Sequence, residues 1–276
     1  MTVRIMGVVN VTPDSFSDGG EFLDAGAAIA HGRRLAGEGA DILDIGGEST
    51  RPGSEGVGAG EEMRRVLPVV RALAGPEGPG IPVSIDTSKA AVAEAALDAG
   101  AEIVNDVTAL RADPELAGLC AGRGCTVALM HMLGEPRTMQ DNPVYDDVVD
   151  DVKAFLAERI DYATAAGISQ GRIWVDPGIG FGKTLEHNLE LMRRLGEFRE
   201  LGCPILFGSS RKSFIGKLTG AEADDRIGGT IASSVIAVAN GAEIVRVHDV
   251  AEVRQAITVA EAILDPDRAA AIADRP

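Results

Sequence analysis

The 276-residue sequence is short of several things at once, and each shortage closes a class of function. Aromatic residues make up 4% of it, too few for a stacking platform that binds single-stranded nucleic acid. Lys and Arg number 26 against 42 Asp and Glu, a formal net charge of −16, so no basic surface for duplex nucleic acid or anionic lipid is expected. Cys120, Cys125 and Cys203 form no CxxC pair and leave an odd thiol, which reads as reduced cysteine and not as a disulfide frame or zinc site. No apolar run approaches the roughly eighteen residues of a membrane span, and no charged-then-apolar signal pattern opens the chain. A phosphate loop is missing too. "PGIGFGKT" (177–184) has Pro177 where the first glycine should stand, and it fails GxGxxG at Lys183. These absences leave the expectation of a soluble, cytoplasmic protein.

What is present is alternation. Short runs rich in Val and Ile lie at 3–9, 41–46, 81–86, 102–107, 125–130, 172–176, 204–208 and 243–248. Helix-like stretches follow them near 23–36, 60–74, 89–98, 114–122, 146–166, 185–200, 223–239 and 251–264. Strands that alternate with helices pair in parallel through crossover units, and eight such units predict a single (β/α)₈ (TIM) barrel, with a doubly wound open sheet as the competitor. The barrel spans residues 1–264, and residues 265–276 read as a loose tail.

A weak repeat sets the register. "GADILD" (39–44), "GAEIVN" (100–105) and "GAEIVR" (241–246) each pass from a helix-ending glycine into a strand. Asp44, Asn105 and Arg246 fall in the same slot, and His248 follows two residues after Arg246. Side chains alternate along a strand, so these residues share a face, expected to be the barrel interior near its mouth. The alternative is that they are buried polar pairs that only hold strands together.

In such barrels the strands' C-terminal ends and the following loops build the active site. Those positions are polar in every unit: Asn10; Glu48, Thr50 and Arg51; Asp86; Asn105 and Asp106; His131; Asp176; Arg211 and Lys212; Arg246 and His248. The serines of "GSSRKS" (208–213) sit where a strand gives way to a helix, and with Arg51, Arg246 and His248 the two basic residues suit a phosphate or diphosphate. Asp86, Asp176 and Asn105 suit a donor-rich edge such as an aminopyrimidine. The pocket therefore expects a polar heterocycle at one end and a phosphate at the other. The long polar loop "NVTPDSFSDGG" (10–20) reads as a lid over it, closing with "STRPGSEG" (49–56).

The blocks "MGVVNVTPDSFSDGG", "DIGGESTRPG", "SIDTSK", "ND", "LMHMLGEPRTMQ", "DPGIGFGK", "SSRKSFIG" and "RVHDV", in this order over nearly the whole chain, resemble the dihydropteroate synthase family. The resemblance implies a pterin-binding (β/α)₈ barrel. It implies condensation of (7,8-dihydropterin-6-yl)methyl diphosphate with 4-aminobenzoate, giving 7,8-dihydropteroate and diphosphate in folate biosynthesis. It implies Mg²⁺ at Asn10, with Thr50 and Arg51 near the diphosphate end of the pterin substrate. Asp86, Asn105, Asp176 and Lys212 would hold the pterin; Arg246 would line its face and, with His248, bind diphosphate. Pro52, Phe181 and Ser210 would border the 4-aminobenzoate slot, where sulfonamides compete in this family. Asp86, Lys212 and Arg246 are the catalytic candidates, in a dissociative substitution that needs no protein nucleophile. A homodimer is implied as well.

Two other readings stay open at this point. A methyltetrahydrofolate:corrinoid methyltransferase would keep Asp86, Asn105 and Asp176 but has no need of Arg51, "SRK" and "RVH". A non-catalytic pterin-binding paralogue should show broken motifs, and none is broken here. Family members often carry extra residues before the first strand, so a more open barrel bottom is expected.

Overall fold

In a computed structural model that describes residues 2–11, 21–49, 56–134, 138–265 and 267, all eight apolar runs are parallel strands. They are β1 (Arg4–Asn10), β2 (Ile42–Gly46), β3 (Val83–Asp86), β4 (Ile103–Asp106), β5 (Thr126–Met130), β6 (Ile173–Asp176), β7 (Leu206–Phe207) and β8 (Ile244–Val247). Strands two to six add in order on one side of β1, and β8 then β7 on the other. A parallel bridge from Val175 to Ile205 joins the two edges, which gives the eight-stranded (β/α)₈ barrel and disposes of the open sheet.

The helices cover the outside. α1 (Glu21–Gly37), α2 (Ala59–Ala74), α3 (Ala90–Asp98), α4 (Glu115–Arg123), α5 (Val148–Ala165) and α6 (Leu185–Arg193) each follow one strand. α7 (Ser213–Thr219) and α8 (Ile227–Ala239) both follow β7, and α9 (Val250–Leu264) follows β8. Two details differ from the sequence reading. The stretch 185–200 breaks at Arg194 into α6 and a 3₁₀ turn at Leu195–Leu201, and the helix start expected at "GSSRKS" is, apart from the stretch 223–239, a separate short helix, α7. Its seven residues are too few to show a 3.6-residue period, and glycines at 208, 216 and 220 mask what pattern there is. Of the expected tail, only Asp265 and Asp267 are among the described residues.

Strand alternation sorts the core into two shells. Outward residues such as Ile5, Leu43, Ile85, Val104, Val127 and Val245 pack against the helices. Inward residues Met6, Ile42, Ile103, Ala128, Trp174, Leu206 and Ile244 form a separate apolar layer inside the barrel. Two residues further along the same inner face, Ile42 is succeeded by Asp44, Ile103 by Asn105, Trp174 by Asp176 and Ile244 by Arg246. The interior thus changes from hydrocarbon to charge within one pleat. At the opposite end, around Thr2, Arg199, Pro204, Glu243, Glu261 and Asp265, lies a cavity of about 500 Å³.

Candidate active site

The charged layer is a connected network. Arg246 Nε donates to Asp44 Oδ2 at 2.6 Å, and its Nη2 donates to Asp86 Oδ2 at 2.8 Å. Asn105 Nδ2 donates to the same Asp44 oxygen at 3.1 Å. The shared slot read from the repeat is therefore a real contact. Asp44 is fully buried and holds Arg246 and Asn105, so here the interpretation as a strand-holding polar pair also applies. Register brings Asp86 into line with Gly46 on one side and Asn105 on the other, and glycine leaves the space beside the carboxylate open.

Burial dominates the protonation of the cluster. It pushes Asp86 up to about 7, against the Arg246 guanidinium, which lowers it; Asp44, Glu62 and Asp106 raise it further. Asp176 is raised by the same cause, opposed mainly by Lys212 and by the Gly178 amide that donates to its Oδ1 at 2.7 Å. Lys212 is drawn down to about 8 by its own burial despite Asp176. Its ammonium donates to the Ile179 carbonyl and lies 4.7 Å over the Phe181 ring.

Arg211 and Lys212 part company. Arg211 takes a positive φ of 59°, which turns it outward to pair with Asp249, while Lys212 points into the barrel. The expectation that both basic residues face the anion is corrected: Asp249, one residue past His248, claims the arginine. His248 is fixed by Ser210, whose Oγ accepts the His248 backbone amide at 3.2 Å and lies 3.0 Å from Nδ1. Ser210 thus orients a histidine.

Asp106 does not join the cluster. Its carboxylate accepts the Thr108 hydroxyl at 2.8 Å and the Leu110 amide at 2.6 Å, securing a turn in which Ala109 and Leu110 have φ of 53° and 62°. Asn10 ends β1 opposite Gly46, at the same level as the charged layer. Thr50, Arg51 and Pro52 lie outside the described residues, as do residues 12–20 and hence the lid.

Two lysines carry weight that their motifs did not reveal. Lys89 of "SIDTSK" bridges Glu48 at 2.5 Å and the fully buried Glu62 at 2.6 Å. Glu48 also accepts the Val57 amide at 3.0 Å, so this ion cluster ties together the two ends of the loop at 49–56. A signal existed: Glu62 stands on the buried stripe of α2 with Val66, Val69, Val70 and Leu73, where a carboxylate needs a partner. Lys183, 2% exposed, is hydrogen-bonded to His131 Nδ1 at 2.9 Å and to the Phe181 carbonyl at 3.0 Å. The backbone there requires glycine: Gly178 has φ 69°, and a Cβ would stand 1.9 Å from the His131 carbonyl oxygen.

The chain is similar to known proteins over nearly its whole length. Residues 6–248 match the family described as pterin binding enzyme. The dihydropteroate synthase of Neisseria meningitidis serogroup B is 50% identical over 266 residues, which are 94% of this chain and 92% of that one. A probable bifunctional folylpolyglutamate synthase/dihydropteroate synthase of Haloferax volcanii is 50% identical over 271 residues, 98% of this chain but 32% of that protein, so the chain spans about a third of its length. The solved structure of Xanthomonas albilineans dihydropteroate synthase with 4-aminobenzoic acid superposes with a TM-score of 0.89 at 50% identity, covering 95% of this chain and 93% of that one.

Proposed function

Because the chain belongs to the pterin-binding enzymes and, within them, to the dihydropteroate synthases, we propose that its barrel-mouth residues divide the reaction into a pterin half and a diphosphate half. The enzyme condenses (7,8-dihydropterin-6-yl)methyl diphosphate with 4-aminobenzoate to give 7,8-dihydropteroate and diphosphate, a transferase step of folate biosynthesis that sulfonamides target. The other two readings, corrinoid methyltransferase and non-catalytic paralogue, are not favoured by its relatives.

The observation that carries the assignment of roles is the Asp44–Arg246–Asp86 chain above an apolar barrel floor. Asp86, Asn105 and Asp176 accept from and orient the donor-rich edge of the pterin, and Lys212 and Arg246 cover its faces. As the C–O bond to diphosphate breaks, positive charge spreads onto the dihydropterin. Ionised Asp86 stabilises it in a site that solvent screens poorly, and Arg246 and His248, in a site that Arg51 helps organise, receive the departing anion. The amine of 4-aminobenzoate, seated between Phe181, Pro52 and Ser210, then forms the new C–N bond and gives up a proton. The substitution is dissociative, and most of the acceleration comes from positioning and charge.

Mg²⁺ suits this mouth as a cation that arrives with its anion. It takes few protein ligands and keeps waters and phosphate oxygens. No group of three or more His, Cys, Asp or Glu among the described residues forms a cage, whereas Asn10 ends β1 in register with Gly46, at the level of the charged layer. Asn10 would hold the ion, and when bound it supplies neutralising charge to the diphosphate.

No helix among the described residues is long and apolar enough to cross a membrane, and the working location we propose is the cytoplasm. The roles are tested by Asp86→Asn, which keeps size and loses charge. If one such contact is worth about 3 kcal/mol, kcat should fall at least roughly a hundredfold. Turnover near that of the wild type would remove Asp86 from its role.

A further inference from the structure

Four consecutive carbonyl groups after β6 are each claimed by a different side chain. Ile179 O accepts Lys212 Nζ, Gly180 O accepts Gln140 Nε2 at 2.6 Å, Phe181 O accepts Lys183 Nζ at 3.0 Å, and Gly182 O accepts Tyr145 Oη at 2.7 Å. The amides are occupied too: Gly180 N donates to Asn188 Oδ1 at 2.7 Å and Phe181 N to the Gly178 carbonyl at 3.1 Å. Gly178, Gly180 and Gly182 all have positive φ, of 69°, 84° and 66°. A surface loop would leave such groups to water. Here the backbone on both sides of one aromatic residue, Phe181, is fixed from β5, the segment before α5, α6 and the segment before α7.

Lys183 is the costliest of these ties. It is buried, its two hydrogen-bond partners are a carbonyl and an imidazole, and desolvation draws its pKa well below the usual lysine range, opposed by Asp176. Burial, seconded by Lys183 and Arg111, lowers the His131 pKa and keeps the imidazole neutral; Nδ1 lies 2.9 Å from Lys183 Nζ, and the ring packs edge-on against Phe155 at 4.9 Å. Lysine and histidine therefore form one strut from the end of β5 to the Phe181 carbonyl. On the far side of that carbonyl's residue, the ring meets Met130, Met132 and Met139 and lies beneath Lys212.

We propose that Lys183, braced by His131, is a positioning residue for 4-aminobenzoate: by holding the Phe181 carbonyl it sets the plane of the ring that flanks the second-substrate slot. The proposal rests on the reading of Phe181 as a wall of that slot. It assigns no contact with the reacting atoms to either residue. Because a wall that contacts 4-aminobenzoate equally before and during reaction contributes uniform binding, its loss belongs in the KM of that substrate.

Steady-state kinetics with both substrates varied test it. Lys183→Met should raise the KM for 4-aminobenzoate about tenfold, with kcat and the KM for the pterin diphosphate within about threefold of wild type. His131→Ala should move the same constant in the same direction, and His131→Gln, which keeps an acceptor, should recover part of it. If Lys183→Met does not purify folded, the two His131 variants decide alone. A 4-aminobenzoate KM unchanged in His131→Ala, or a loss that falls equally on kcat and both KM values, overturns the proposal. Failure of the wild type to release diphosphate in response to 4-aminobenzoate would instead overturn the underlying function.

Discussion

Asp86 is asked to be an anion in a place that resists anions. Burial lifts it to about 7, and Arg246 only partly restores it. Lys212, asked to be a cation, is drawn down to about 8. The signs give a narrow bell. Below about 7 Asp86 is protonated and its limb rises with pH; above about 8 Lys212 loses its proton and its limb falls. The profile of kcat/KM for the pterin diphosphate should therefore peak between these limits. Asp86→Asn should flatten the acid limb, and Lys212→Met the alkaline one. An acid limb that persists near 7 in Asp86→Asn would assign it to another group, Asp176 first, since burial raises that carboxylate as well. At this scale the sequence was most legible where polarity broke an apolar strand: Asp44, Asn105 and Arg246 announced themselves by a shared slot. It was least legible at lysines. Lys89 and Lys183 drew no role from the sequence because their partners, Glu48, Glu62 and His131, stand 41, 27 and 52 positions away. Arg211 and Lys212 could not be told apart, since one backbone φ decides which of them turns inward.

Among the elements, α8 and α9 stand apart. They lie side by side, and both keep large apolar side chains in water: Ile236 on α8, Val259, Ile263 and Leu264 on α9, with Val259 56% and Ile263 75% exposed. A shallow apolar groove runs between them, lined by Ile231, Val235, Ala256 and Val259. An apolar face of this kind on a charged protein marks a contact surface. We propose that a second copy of the chain covers it, since two copies related by a two-fold axis can each bury the other's stripe. Replacing both Val259 and Ile263 by Asp should weaken the dimer at least roughly a hundredfold, about 3 kcal/mol. Sedimentation velocity at micromolar concentration checks this: a wild type that sediments as a monomer, or a double variant that stays dimeric, would exclude the interface. The helices were legible from their spacing, apart from α7, whose seven residues make only about two turns. Their outer faces were not, because an exposed stripe and a covered one have the same composition.

For the whole molecule, the account makes one continuous claim: an apolar barrel floor carries a charged lid of side chains, and that charge serves the displacement of diphosphate by an arylamine. The chain's net charge is −16, whereas in the interior Asp44 and Asp86 pair with Arg246, and the charge of Lys212 favours ionised Asp176. The claim is met most directly by incubating the purified protein with (7,8-dihydropterin-6-yl)methyl diphosphate and Mg²⁺, with and without 4-aminobenzoate, and following diphosphate release. Release that depends on 4-aminobenzoate and matches 7,8-dihydropteroate formed, mole for mole, is the expected result. Binding of the pterin diphosphate without release, or release indifferent to 4-aminobenzoate, would contradict it.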